Sequence, residues 1–155
     1  MYGSKGNGGS SFKTAEDAKL VLIFGSSPTE TRQGGLTTHY DWVHLRERTG
    51  AKIYMIDYRM NDSISGHSEQ WLPINPGTDL ALVLAMSNVL VTRGRYDKEF
   101  VAANTVGFDE WAKELAEYPP EWAEGVTGIP ADTIARLAME FAEAAPAASI
   151  EPSWR

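Results

Sequence analysis

Three short segments carry residue types whose spacing suits nucleotide binding, and the first follows an apolar run that ends at Phe24. Its small residues would let the backbone approach a phosphate, and backbone N–H groups near a helix start favour an anion. The segment has neither the G-x-G-x-x-G pattern nor a Walker sequence with its Lys, so an ordinary strand-to-helix turn remains the alternative. Its candidate cofactor-binding residues are Gly25, Ser26, Ser27, Pro28, Glu30 and Thr31.

The second segment is Asp57-Tyr58-Arg59, directly after another apolar run. An acid at the end of a strand in a βαβ unit often accepts hydrogen bonds from ribose hydroxyls. Arg59 could pair with a phosphate, because a guanidinium is a bidentate donor. A surface ion pair is the alternative interpretation of these residues.

The third segment, residues 76–79, contains Gly77, Thr78 and Asp79. Gly77 permits an unusual turn, and Asp79 lies where a helix is expected to start. A carboxylate there could accept two hydrogen bonds from guanine, whose N1 and exocyclic amino group are both donors. A plain helix cap by Thr78 or Asp79 is the alternative.

Composition excludes several other kinds of site. The chain has 155 residues and no Cys, so it holds no disulfide, zinc ribbon, iron–sulfur ligand or catalytic thiol. His39 and His44 lie on different sides of a predicted helix and His67 in a loop, which argues against a metal site. A net charge of -7 argues against nucleic-acid binding, and no apolar run reaches the roughly 18 residues of a membrane span.

The elements that position these segments are predicted from hydrophobic patterns. Residues 20–24 are a continuous apolar run, typical of a strand buried on both faces, and residues 51–56 are predicted to form the second strand. A helix at 35–48 between them completes a βαβ unit. On that helix Leu36, Tyr40 and Val43 share one face. A short strand is expected at 71–74, and its Pro73 would confine it to a sheet edge or make it irregular.

Helices dominate the rest of the chain. Residues 80–92 are apolar nearly all round, which predicts packing on two sides, and further helices are expected at 97–104, 109–117, 120–124 and 131–144, before a strand that begins at 147. From residue 97 to 151 the chain has twelve acids and three bases, which indicates a solvated helical face or a docking surface. The predicted fold is α/β, a Rossmann-like, mainly parallel sheet with flanking helices. The predicted divisions are a flexible lead-in at 1–18, a βαβ nucleotide-binding core at 19–95, a helical subregion at 96–145 and a truncated strand at 146–155.

Taken together, the segments resemble one family. The matching stretches are residues 24–32, 56–59 and 69–82, with weaker matches at 96–101, 106–109 and 127–134, and Trp-Leu-Pro-Ile-Asn-Pro-Gly-Thr-Asp at 71–79 is the most specific. This order resembles the molybdopterin guanine dinucleotide oxidoreductases of the dimethyl sulfoxide reductase family. The resemblance implies that all three segments contact the dinucleotide of the cofactor. The family usually has Asp-Pro-Arg where this chain has Asp57-Tyr58-Arg59, which puts the shape of that loop in doubt.

The resemblance also implies what surrounds the chain. The family's metal ligand and its iron–sulfur Cys cluster are expected further N-terminal, so the chain is expected to be a non-catalytic fragment of a catalytic subunit. That subunit would hold molybdenum or tungsten and transfer oxygen atoms or electron pairs, as in anaerobic respiration. Expected partners are its remaining domains and an iron–sulfur electron-transfer subunit, with no nucleic acid and no membrane insertion. Substrate, oligomeric state and compartment (periplasmic, membrane-associated or cytoplasmic) stay open.

Two other functions stay open at this level. A stand-alone nicotinamide-binding Rossmann domain fits the βαβ order but lacks G-x-G-x-x-G after the first strand. A non-catalytic helical interaction module fits the acidic second half but leaves the Pro-Gly-Thr-Asp segment unexplained.

Overall fold

The structure, a computed structural model, describes residues 17–31, 38–65, 68 and 70–152. The described residues form four strands, β1 (Leu20–Phe24), β2 (Lys52–Asp57), β3 (Gln70–Pro73) and β4 (Ala148–Pro152). They also form seven helices: α1 (Pro28–Thr31), α2 (Thr38–Thr49), α3 (Asp79–Thr92), α4 (Lys98–Asn104), α5 (Phe108–Glu114), α6 (Pro120–Thr127) and α7 (Ala131–Ala144). A 3-10 turn follows α5 at Leu115–Glu117.

The strands form one parallel sheet in the order β3-β2-β1-β4, and the predicted α/β class is therefore confirmed. β1 pairs in parallel with β4, with Leu22 opposite Ile150. All five residues of β1 are buried, as a continuous apolar run predicts for a strand covered on both faces. β3 lies at an edge, as Pro73 predicts, because proline cannot donate to a ladder.

The described residues group into two compact units, one of residues 17–55, 60–71 and 147–152, the other of residues 56–59 and 72–146. The first has a core in which Trp42 and Leu45 of α2 pack with apolar residues of the strands, such as Val21, Ile53 and Met55. In the second unit α3 packs against α6 and α7. The division into a nucleotide-binding core at 19–95 and a helical subregion at 96–145 stays a prediction.

The predicted apolar face of α2 is only partly correct, because Val43 packs against the core of the first unit but Tyr40 does not. Tyr40 is 59% exposed, whereas Trp42 and Leu45 are buried, and Leu36 lies outside the described residues. Tyr40 instead stacks on His44, with ring centroids 4.1 Å apart. The large apolar area of Trp42 decides which side of this helix faces the core.

Two further elements differ from expectation. The predicted polar loop after β1 contains the one-turn helix α1, which begins at Pro28, a residue suited to the first helical position. α3 buries Ala81, Leu82, Ala85, Met86 and Val89, but Leu80 is 68% exposed and Val83 39% exposed. Within the described residues, α3 is therefore packed on one side rather than two.

The later helices lie close to their predicted limits, except that α6 continues to Thr127 instead of ending at residue 124. α7 buries Ile134, Leu137 and Ala138. In the part of the chain that the structure describes, no helix is both long and apolar enough to cross a membrane.

Candidate functional site

The loop after β1 is organised by one buried hydroxyl group. The Ser63 side chain is fully buried, and its Oγ accepts a hydrogen bond from the backbone N–H of Thr29 at 3.0 Å. The same Oγ lies 2.7 Å from Thr29 Oγ1 and 3.3 Å from Ser27 Oγ. Ser27 and Thr29 are themselves buried, so Ser63 fixes the predicted phosphate loop from its buried side.

Ser63 is in turn held by its own neighbours. Asn61 Oδ1 accepts a hydrogen bond from the Ser63 N–H at 2.9 Å, and Trp42 Nε1 donates to the Ser63 carbonyl at 3.2 Å. Ser63 was not among the site residues predicted from the sequence. The signal that could have found it is Asn61-Asp62-Ser63, because an Asn side chain often bonds the backbone two residues later in a turn.

The other predicted residues of this loop lie closer to solvent. Gly25 and Ser26 are half-buried, and Glu30 is exposed, with its Oε1 accepting from the Asp62 N–H at 3.4 Å. Gly25 has a φ of 56°, a conformation that glycine adopts without strain, and it redirects the chain from β1 into α1. Pro28 is buried and Thr31 ends α1.

Asp57, in the second compact unit, stabilises the turn in which it lies. Its carboxylate is buried, and its Oδ1 accepts a hydrogen bond from the Arg59 N–H at 3.2 Å. Tyr58 and Arg59 are exposed. An Asp that bonds the backbone two residues later shapes a turn without a proline. The turn at Asp57 is therefore defined even though Tyr58 stands where the resembled family usually has Pro.

The segment before α3 forms a tight turn over Asn75, Pro76, Gly77 and Thr78. The Thr78 N–H and Oγ1 both donate to the Asn75 carbonyl, at 3.2 and 2.7 Å. Gly77 has a φ of 79° after a proline, which is the residue pattern of a type II turn. The predicted unusual turn at Gly77 is therefore present.

Asp79, the first residue of α3, is half-buried. Thr78 occupies the N-cap position without a side-chain capping bond, because its hydroxyl points back to Asn75. Within the part of the chain that the structure describes, the Asp79 carboxylate takes part in no hydrogen bond or ion pair. The cap interpretation of Thr78 and Asp79 therefore receives no support from side-chain geometry.

The structure brings two of the three segments together. The Ile74 N–H donates to the Asp57 carbonyl at 3.4 Å, which joins the Asp57 turn to the segment that leads into Asp79.

A cavity of about 400 Å³ in the same unit, lined by residues such as Tyr96, Lys98 and Phe108, contains none of the predicted site residues. No cluster of His, Asp and Glu suited to a metal ion occurs in the described ranges.

Residues 2–149 match the family model described as molybdopterin oxidoreductase. The chain belongs to the molybdopterin oxidoreductase family. A molybdenum–molybdopterin cofactor is characteristic of this family. Within it, the resemblance to the dimethyl sulfoxide reductase group is also confirmed.

The chain is similar to several individual proteins. A probable dimethyl sulfoxide reductase chain, YnfF of Escherichia coli, is 39% identical over 95% of this chain, and dimethyl sulfoxide reductase DmsA of the same organism is 36% identical over 94%. The chain spans about a fifth of the length of these two relatives, 20% in each case. Among solved structures, acetylene hydratase from Pelobacter acetylenicus superposes with a TM-score of 0.77 at 32% identity, over 94% of this chain and 19% of the hydratase.

Proposed function

We propose that this chain holds the guanosine end of a molybdopterin guanine dinucleotide, with Asp79 binding the base. The observation that carries the proposal is the Asp79 carboxylate. It is half-buried, it is placed by a tight turn, and it takes part in no hydrogen bond or ion pair within the described residues. A ligand that donates two parallel hydrogen bonds would complete it.

Guanine is the base that fits this carboxylate. Its N1–H and its amino group form a paired donor edge, whereas adenine offers a single amino group beside an acceptor nitrogen. Gly77 leaves room for a ligand on its side of the turn, since a Cβ built there would meet nothing within 4 Å. The residues present therefore suit the guanine end of the cofactor.

The remaining predicted residues complete the proposal. Asp57 lies at the end of β2, where an acid suits ribose hydroxyls, and the exposed Arg59 suits a phosphate. The small residues Ser26 and Ser27 suit the diphosphate, because their backbone leaves space for its oxygen atoms. In the first loop the Ser63 hydroxyl holds the backbone ready for this contact.

The relatives are named for different substrates, which supports a role of this segment in holding the cofactor. Similar proteins include a thiosulfate reductase subunit of Salmonella typhimurium, 38% identical over 70% of this chain, and an arsenate respiratory reductase subunit of Chrysiogenes arsenatis, 41% identical over 64%. Proteins named for different substrates share most of this segment, which supports a role in what they have in common. We therefore assign the chain to cofactor binding and leave the substrate unassigned.

We further propose that the chain works as part of a larger catalytic subunit that also carries an iron–sulfur cluster and meets an electron-transfer subunit. Two relatives are named as molybdopterin-containing subunits, which supports an assembly of several chains. When bound, the cofactor supplies the redox chemistry at molybdenum or tungsten. The residues of this chain bind and orient its nucleotide end.

The decisive experiment compares GDP with ADP by ligand-observed NMR on the chain and on the variant Asp79→Asn. We expect weak binding with a preference for GDP, and we expect Asp79→Asn to abolish that preference because an amide cannot accept both donors. Where the pair is fully buried, its loss costs about 2–4 kcal/mol.

Asp132→Asn is the matched control. Asp132 also lies in the first turn of a helix of 14 residues, so both variants remove the same charge near a helix start. This control should keep the preference for GDP. Equal binding of GDP and ADP by the unmodified chain would contradict the proposed function.

A further inference from the structure

The end of α6 meets the turn that carries Asp79. The Asn75 N–H donates to the Thr127 carbonyl at 2.9 Å, and the Asn75 side-chain Nδ2 donates to the Val126 carbonyl at 2.9 Å. The last carbonyls of a helix have no partner within the helix, so they accept donors from outside it. Asn75 supplies two such donors to α6.

The same residue closes the turn. Its carbonyl accepts from both the N–H and the Oγ1 of Thr78, and the Thr78 carbonyl then accepts the first backbone bonds of α3, from Ala81 at 3.0 Å and Leu82 at 3.3 Å. Asn75 therefore links the end of α6 to the start of α3 through its side chain, its N–H and its carbonyl. Asp79 lies one residue after Thr78, within that linked segment.

The end of α6 is itself held by hydrogen bonds. Thr127 is fully buried, its Oγ1 donates to the Ala123 carbonyl at 2.7 Å and accepts from the Ile129 N–H at 3.1 Å. Gly128 follows with a φ of 79°, and a Cβ built there would lie 3.6 Å from Asn75 Nδ2. The carbonyls that hold Asn75 therefore have a fixed place in the second unit.

We propose that Asn75 is a positioning residue for Asp79. By binding the end of α6, Asn75 fixes the turn that holds the Asp79 carboxylate where it binds the base. This proposal deepens the proposed function and rests on it for the nature of the ligand. The fixing of the turn does not depend on which ligand binds. It gives helix α6 a part in nucleotide recognition, although none of the predicted site residues lies on it.

The test uses Asn75→Ala and Asn75→Asp in the full chain, the second keeping the side-chain shape while losing the donor. Asn88→Ala is the matched control, because Asn88 Nδ2 makes the same kind of bond, 2.7 Å to the Leu115 carbonyl, at a helix end in the same unit. Two measurements are made: backbone amide hydrogen exchange from Thr78 to Leu82, and the ratio of GDP to ADP affinity. We expect both Asn75 variants to speed exchange about tenfold and to lower the affinity ratio, while Asn88→Ala changes neither.

Three results would overturn the proposal. Exchange in the turn could stay as it is in the unmodified chain, or it could rise equally in Asn88→Ala, and either result would show that Asn75 does not fix the turn. Faster exchange with an unchanged affinity ratio would show an anchor that does not position Asp79. If the unmodified chain itself has no preference for GDP, the proposed function fails, and the exchange measurement still decides whether Asn75 fixes the turn.

Discussion

The loop after β1 and the turn before α3 both follow a strand and both carry candidate site residues, yet they use their polar side chains differently. In the first loop, Ser27 and Thr29 are buried and bonded to Ser63. In the turn, Asn75 and Thr78 make the internal bonds, and the Asp79 carboxylate makes none within the described residues. Ser27 and Thr29 therefore stabilise the shape of the first loop, whereas the Ser26 hydroxyl in that loop and the Asp79 carboxylate in the turn make no hydrogen bond within the described residues.

This difference indicates how each loop would recognise a nucleotide. The first loop presents its backbone and the Ser26 hydroxyl, which suit the diphosphate that all dinucleotides share. A turn with an available carboxylate can distinguish one base from another. Specificity is therefore expected at Asp79 and general affinity at the loop after β1, and the following variants test that division.

The largest effect on stability is expected for Ser63→Ala. The change leaves the Thr29 N–H without the acceptor it has in the structure, and a buried polar group without its partner costs about 1–3 kcal/mol. Urea unfolding followed by circular dichroism measures the free energy of unfolding. Ser68→Ala is the control, since half-buried Ser68 makes one hydrogen bond among the residues that the structure describes, 3.1 Å to the Ile64 carbonyl. An equal loss of unfolding free energy in both variants would contradict the conclusion that Ser63 fixes the loop after β1.

A smaller effect is expected for Gly77→Ala. Its φ of 79° is unfavourable for alanine by about 1–2 kcal/mol, although the added Cβ would meet no atom within 4 Å. Gly50→Ala is the control, because Gly50 has a φ of 65° and equally open surroundings. Both variants should lose similar stability in urea unfolding, but only Gly77→Ala should lower the preference for GDP over ADP. A loss of preference in both would show that general destabilisation, and not the turn, affects binding.

The smallest effect is expected for Ser26→Ala. Ser26 is half-buried, and its side chain makes no hydrogen bond within the described residues, so stability should change by no more than about 0.5 kcal/mol. If Ser26 contacts the diphosphate, affinity for GDP and ADP should fall equally, by about 0.5–1.5 kcal/mol. Ligand-observed NMR with both nucleotides measures this. A loss of affinity for GDP alone would place base recognition in the first loop and contradict the proposed division between specificity and general affinity.

The sequence by itself determined the elements that local patterns encode. Five consecutive apolar residues predicted β1 with its observed limits, Leu20–Phe24, and Pro73 predicted an edge strand. The pair Pro76-Gly77 predicted an unusual turn, which the structure contains. These features depend on steric limits and burial within a few residues, so a single stretch of sequence is enough to reveal them.

The tertiary structure decided what holds the candidate site in place. Ser63 meets Thr29 across 34 residues, and Asn75 meets Val126 across 51. It also decided that α2 buries Trp42 and Leu45 rather than Tyr40. A hydrogen bond between distant residues leaves no periodic mark in the sequence, because its partners are brought together only when the helices and strands pack. For that reason the sequence could indicate Asp79 as a binding residue, whereas the structure was needed to show that Asn75 and the end of α6 hold the turn that carries it.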